Sequence, residues 1–176
     1  MFPLMIESAK LLKAGKPDLK FEVPAASPKL AGQIRELMAA SGAGDLITVT
    51  DGGSHSLMQR ACCAVIASGT ATLEAAYYGL PYCLVYRVAA LTYMMAKILV
   101  KIELIGLVNI LAGEEVVEEL VQGKARPELV ARSLAGFVES PAKREALRVK
   151  LAETSSMLGG LGAHERAARA VADWLV

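Results

Sequence analysis

The sequence predicts an α/β domain built on a parallel sheet covered by helices, and three observations carry that prediction. Stretches of helical spacing alternate with short apolar runs that stop at Pro, Gly or Asp, the pattern of strands buried between helices. The run CAVIAS at 63–68 passes through Gly69 directly into a helical stretch. That stretch closes at Gly79 and Pro81 before the next run, YCLVY at 82–86, so 63–86 forms a βαβ unit.

The other elements follow in order. Residues 3–15 have helical spacing and stop at Gly15 before Pro17, and LKFEVP at 19–24 reads as a strand. A helix over 28–40, a strand LITVT at 46–50 and a short helix over 54–61 lead to the buried strand at 63–68. The helix after Gly69 covers 70–78. Beyond Val88 strands fade, and helices are expected over 89–101, 114–122, 127–139, 141–157 and 164–175. No internal repeat or low-complexity tract is present.

At 176 residues the chain has room for one ordinary domain. Its 19 Lys and Arg against 18 Asp and Glu leave no basic excess to neutralise a run of phosphates, so nucleic acid is not an expected partner. The chain is 54% apolar with a mean hydropathy of +0.41, yet Arg87, Lys97, Lys101 and Glu103 interrupt its long apolar stretches. None reaches the ~20 residues of a membrane span. Cys62, Cys63 and Cys83 are odd in number, lie in apolar surroundings and lack metal spacing, so they read as buried reduced thiols suited to a reducing cytoplasm. Lys10 is the only cation among the first ten residues, and Pro3 and Glu7 interrupt their apolar character, so no signal peptide is expected there.

Chemistry is best sought in SGTATLE at 68–74, where a strand gives way to a helix at a glycine. Gly69 permits close approach of a ligand to the backbone, Ser68 and Thr70 offer hydroxyls, and the free N–H groups of a first helical turn favour an anion such as a diphosphate. Glu74 stands about one turn beyond Thr70, where its carboxylate could accept two ribose hydroxyls. An ordinary capped helix start explains the same residues. In NILAGEE at 109–115, Asn109 could read a ring or diphosphate oxygen or simply cap the following turn. Tyr86 and Arg87 follow the strand at 82–86, at the carboxyl edge where open α/β sheets bind ligands, although Arg87 also suits a surface arginine over apolar contacts. His55, after DGGS at 51–54, fits a helix-capping loop better than a catalytic role, and His164 reads as structural, at the start of a terminal amphipathic helix that looks like a docking element. No cluster has metal-ligand spacing and no nucleophile motif is present, so neither a metal nor a cofactor is expected.

Three blocks in fixed order, ASGTATLEAAYYGLPYCLVYRV, LTYMMAKILVKIELIGLVNILAGEEVVEELVQG and LGGLGAHERAARAVADWL, resemble the lipid-A-disaccharide synthase family of inverting glycosyltransferases. The resemblance runs over essentially the whole chain, including the opening helix and PDLKFEVPAAS. It implies a Rossmann-like parallel sheet flanked by helices, the C-terminal half of a GT-B glycosyltransferase, with additional C-terminal helices. Residues 1–176 would then be a single UDP-sugar-binding domain. The family's opening strand with its Gly-Ser-Arg loop, and the N-terminal acceptor half with the general base, are expected upstream of Met1. Two positions depart from the family pattern: Val108 stands where proline is expected and Glu114 where arginine is expected, which changes the phosphate contacts expected near that loop.

Carried over residue by residue, the resemblance implies that Ser68, Gly69 and Thr70 hold the UDP diphosphate, Glu74 the ribose, and Asn109 the donor sugar or diphosphate, with Tyr86 and Arg87 as lesser members. The implied partners are the donor UDP-2,3-diacylglucosamine and the acceptor 2,3-diacylglucosamine 1-phosphate. An inner-membrane surface of a Gram-negative bacterium and a second copy of the chain are further candidates. The segment 89–108, rich in Met, Leu and Ile with Lys97 and Lys101, suits a helix covering the sheet better than one lying on a bilayer. Another UDP-sugar enzyme such as an epimerase, or a noncatalytic UDP-binding or oligomerisation module, are the alternative functions.

Overall fold

The computed structural model describes residues 1–67, 69–88, 104–159 and 162–174. The elements are α1 (Phe2–Gly15), β1 (Phe21–Ala25), α2 (Pro28–Ala40), β2 (Ile47–Asp51), α3 (Ser54–Arg60), β3 (Ala64–Ala67), α4 (Ala71–Tyr77) and β4 (Tyr82–Tyr86). There follow α5 (Leu107–Ala112), β5 (Glu119–Val121), a 3₁₀ turn (Gln122–Lys124), α6 (Pro127–Glu139), α7 (Pro141–Ser156) and α8 (Ala163–Asp173).

Helix starts follow local chemistry. Proline occupies the first turn of α1, α2, α6 and α7, where its missing N–H costs nothing. Ser27 and Ser140 cap α2 and α7, their hydroxyl oxygens accepting the N–H groups of Leu30 and Lys143 at 3.3 and 3.1 Å.

Every strand pairing among the described residues is parallel, as the alternation of runs and helices predicts. β1 pairs with β2, Phe21 opposite Ile47 through Ala25 opposite Asp51. The order β3-β4-β5 makes a second sheet, Ala64 opposite Tyr82 and Leu84 opposite Glu119. A cleft of about 560 Å³ is lined by Phe21–Pro24 of β1 and by Ala64–Ile66 of β3, with Phe2, Met5 and Leu12 of α1 and Leu57 and Met58 of α3 as further walls. β3, expected to be buried, is accordingly only half-buried, because the strand lines this cleft. The guanidinium of Arg60 in α3 forks onto both carboxylate oxygens of Glu22 in β1 and holds that carboxyl below its ordinary range.

The larger core gathers β4, α4, α6 and α7. Tyr82, Leu84, Val85, Val130 and Leu151 are almost wholly buried there. Ile6, Ala9, Met38, Ala43 and Ile47 form a smaller cluster under the β1–β2 pair. The Tyr82 hydroxyl donates to the Thr72 carbonyl at 3.2 Å, tying α4 to β4.

Two expectations are corrected. Residues 114–122, expected as a helix, instead form a bent connection, the short strand β5 at Glu119–Val121 and the start of the 3₁₀ turn, and the stretch expected between two helices at 109–115 begins inside α5. Both changes trace to Asn109, whose side chain is buried. Its Oδ1 accepts the Val117 N–H at 2.9 Å while its Nδ2 donates to the Val117 carbonyl at 2.8 Å. An amide that bonds both backbone groups of one residue acts as a neighbouring strand would, and holds the chain extended as it reaches the edge of β4. The helix expected over 89–101 lies outside the described residues. Among the described residues, no helix is long and apolar enough to cross a membrane.

Candidate functional site

Glycine geometry builds the loops at the carboxyl ends of the strands. β2 ends at Asp51, and Gly52 and Gly53 follow with φ of +69° and +76°, left-handed values that a side chain would strain. The turn releases α3 so that His55 stands on its first turn. β3 ends at Ala67, and Gly69 follows with φ +149° before α4. Thr70 precedes the helix without capping it through its side chain. The Thr72 hydroxyl instead donates to the Gly69 carbonyl at 2.6 Å, leaving Gly69 and Thr70 at the surface. Ser68 lies outside the described residues.

Glu74 is half-exposed on α4, its Oε2 3.5 Å from His55 Nε2. The His55 ring in turn rests against Tyr78, centroids 5.6 Å apart and planes tilted by 43°. The loop after β2 and the helix after β3 thus meet at one edge, where a carboxylate, an imidazole and a phenol stand together. Sequence reasoning gave His55 a capping role; its contact with Glu74 joins α3 to α4, 19 residues apart in sequence, and has no local signal. The position of DGGSH after a strand was the available hint.

Tyr86 ends β4, half-buried, and Arg87 follows, exposed. Arg87 Nη2 donates to the Ala125 carbonyl at 2.5 Å and Gln122 Nε2 donates to the Val88 carbonyl at 3.2 Å, which pins the end of β4 to the turn after β5. One donor of Arg87 is therefore engaged within the protein.

Asn109 is 1% exposed. Besides bonding Val117, its Nδ2 donates to Glu119 Oε1 at 2.8 Å. That carboxylate also accepts the N–H groups of Ile105 and Gly106 at 2.9 and 2.8 Å, so it closes the start of α5, where negative charge is favoured. Gly106 is required by close approach: a Cβ there would stand 2.9 Å from Leu84 Cδ1 and 3.1 Å from Glu119 Oε1. Asn109 is thus held apart from the surface group of Gly69, Thr70, Glu74 and His55.

The cysteines depart from their uniform expectation. Cys83 is buried, Cys63 half-buried and Cys62 exposed. Burial pushes the Cys83 thiol up to about 12. Among the described residues no group of three His, Cys, Asp or Glu could hold a metal ion. His164 is exposed on α8, an exposed helix that carries Trp174 at its end.

Residues 1–172 match the profile of the family described as Lipid-A-disaccharide synthetase. Among curated relatives, the lipid-A-disaccharide synthase of Geobacter sulfurreducens is 39% identical over 175 residues, covering 99% of this chain and 45% of that protein. The corresponding protein of Geobacter metallireducens is 37% identical with the same coverage. That of Trichlorobacter lovleyi is 41% identical over 169 residues, 96% of this chain and 43% of its own length. The chain spans less than half the length of these relatives.

Proposed function

The chain belongs to the lipid-A-disaccharide synthetase family, and from that premise we propose that it is the donor-binding half of a glycosyltransferase of lipid A biosynthesis. The complete enzyme transfers 2,3-diacylglucosamine from UDP to the hydroxyl of 2,3-diacylglucosamine 1-phosphate, with inversion, and releases UDP. A base contributed by the other half takes the acceptor proton as the new glycosidic bond forms and the bond to the diphosphate breaks. The donor half stabilises the charge that develops on the leaving UDP.

One observation supports this reading above the others: Gly69, Thr70, Glu74 and His55 share one edge at the carboxyl ends of parallel strands, the position at which open α/β sheets take nucleotides. Ser68, Gly69 and Thr70 hold the diphosphate, Glu74 accepts the ribose hydroxyls, and Tyr86 and Arg87 flank the diphosphate or sugar. Asn109 serves the donor by fixing the edge of β4 and β5 beneath it.

The cleft between β1 and β3 extends the proposal. Its two walls include strands that have no partner on that side among the described residues, and a further parallel strand, from polypeptide beyond these 176 residues, would join the sheets into one Rossmann-like layer. The acylated substrates bring the enzyme to the cytoplasmic face of a Gram-negative inner membrane.

Calorimetric titration of the chain with UDP, in parallel with Glu74→Ala, tests the reading. The expected result is saturable binding that the variant weakens about 10- to 100-fold, the weight of charge-assisted hydrogen bonds to the ribose. A folded chain that binds UDP equally well with alanine at 74 overturns the ribose role. A folded chain that gives no UDP binding, even when supplied with the missing strand, overturns the donor assignment.

A further inference from the structure

Cys62 and Cys63 stand at the amino end of β3, the opposite end of the strand from Gly69 and Glu74. Their sulfurs are 3.8 Å apart. Cys62 is exposed, whereas Cys63 is half-buried with its sulfur 4.0 Å from the Leu134 carbonyl of α6. Both line the cleft between β1 and β3. Cys83 is buried on the neighbouring strand, where its partner in register is Val65.

Three kinds of chemistry use a thiol pair, and the geometry separates them. Adjacent residues keep their Cα atoms about 3.8 Å apart across a trans peptide, short of the ~4.4–6.8 Å that an unstrained disulfide spans, so oxidation to a bridge is disfavoured. A tetrahedral metal needs more ligands than two sulfurs, and the described residues offer no third His, Cys, Asp or Glu to complete such a group. At 3.8 Å the two sulfurs are close enough for one atom to bond both at about 2.3 Å, the length of a zinc–thiolate bond, and a small rotation of the exposed Cys62 side chain narrows the angle to that of a pyramidal centre. The pair therefore fits a soft centre that is satisfied by two sulfurs and brings its remaining substituent with it.

We propose that the Cys62–Cys63 pair is a chelating site for trivalent arsenic, as arsenite or an organoarsenical. With phenylarsine oxide the two thiols form two As–S bonds, the arsenic–oxygen bond is lost, and the oxygen leaves as water with both thiol protons. Arsenic stays trivalent throughout, so neither an oxidant nor a reductant is consumed. The exposed Cys62 attacks first. Its thiol is lowered to about 6, chiefly by the hydrogen bond from Cys63 and with help from the Arg144 guanidinium, which gives it the thiolate that such attack requires. Cys63, pushed up by the same contact and by burial, closes the chelate second.

The test is titration of the reduced 176-residue chain with phenylarsine oxide, followed by intact mass and by competition with thiols. One phenylarsenic per chain is expected, removed by a dithiol but not by an equal concentration of a monothiol. Cys62→Ser and Cys63→Ser should each weaken retention on the order of 100-fold through loss of the second, intramolecular bond, while Cys83→Ser leaves it unchanged. Circular dichroism checks that each variant is folded, and the exposure of Cys62 makes its serine variant the informative one. Unaltered retention in folded Cys62→Ser, or an adduct that maps to Cys83, overturns the proposal.

Discussion

Asn109→Ala is expected to cost about 3–5 kcal/mol of folding stability, read as a lowered urea midpoint with unchanged slope. The truncation removes three hydrogen bonds. It leaves the N–H and carbonyl of Val117, a residue 1% exposed, without their partners inside the protein. Each orphaned buried group costs about 1–3 kcal/mol, and Glu119 loses a charge-assisted bond as well. Asn109→Asp should lose a comparable amount for a different reason, because it sets a second carboxylate against Glu119. A loss below about 1 kcal/mol for the alanine variant would show that Val117 finds other partners and that β5 does not depend on the amide.

Tyr82→Ala is the second large effect, about 3–5 kcal/mol, the usual range for emptying a buried aromatic site. The ring is wholly buried at the start of β4, amid the cluster formed by α4, α6 and α7. Burial also drives its hydroxyl above the ordinary tyrosine range, as expected for a phenol that stays neutral. Tyr82→Phe keeps the ring and loses only the bond to the Thr72 carbonyl, so a cost near 1 kcal/mol is expected. Thermal denaturation of the two variants side by side separates packing from hydrogen bonding. Equal losses would place the whole contribution in the hydroxyl.

Much of this architecture was legible because the chain punctuates itself. Gly69, Gly79 and Pro81 bracket α4, and prolines at 28, 127 and 141 mark three helix starts that periodicity already suggested. β5 was not legible: Val117 and Leu120 are three apart, a spacing that serves a helix as well as a strand, and the choice is made by Asn109 and by the free edge of β4. The pairing of His55 with Glu74 could not be read either, since it depends on how a loop after β2 meets a helix after β3. The exposure of Cys62 was hidden for the same reason: apolar neighbours in sequence do not reveal that the strand lines a cleft.

α1 touches both apolar clusters, burying Leu4 and Leu12 in the larger one and Ile6 and Ala9 in the smaller. Among the described residues no strand ladder joins the two sheets, so the backbone of β1 and β2 is not locked there to that of β4. Such an arrangement divides the molecule into two cooperative units of unequal depth. Amide protons of β1 and β2 should exchange with solvent through a partial opening that leaves β4 intact, and those of Leu84 and Val85 only on global unfolding. The smaller unit carries the glycine turn after β2, so its opening would loosen the approach of His55 to Glu74 while α1 stays packed on the larger cluster.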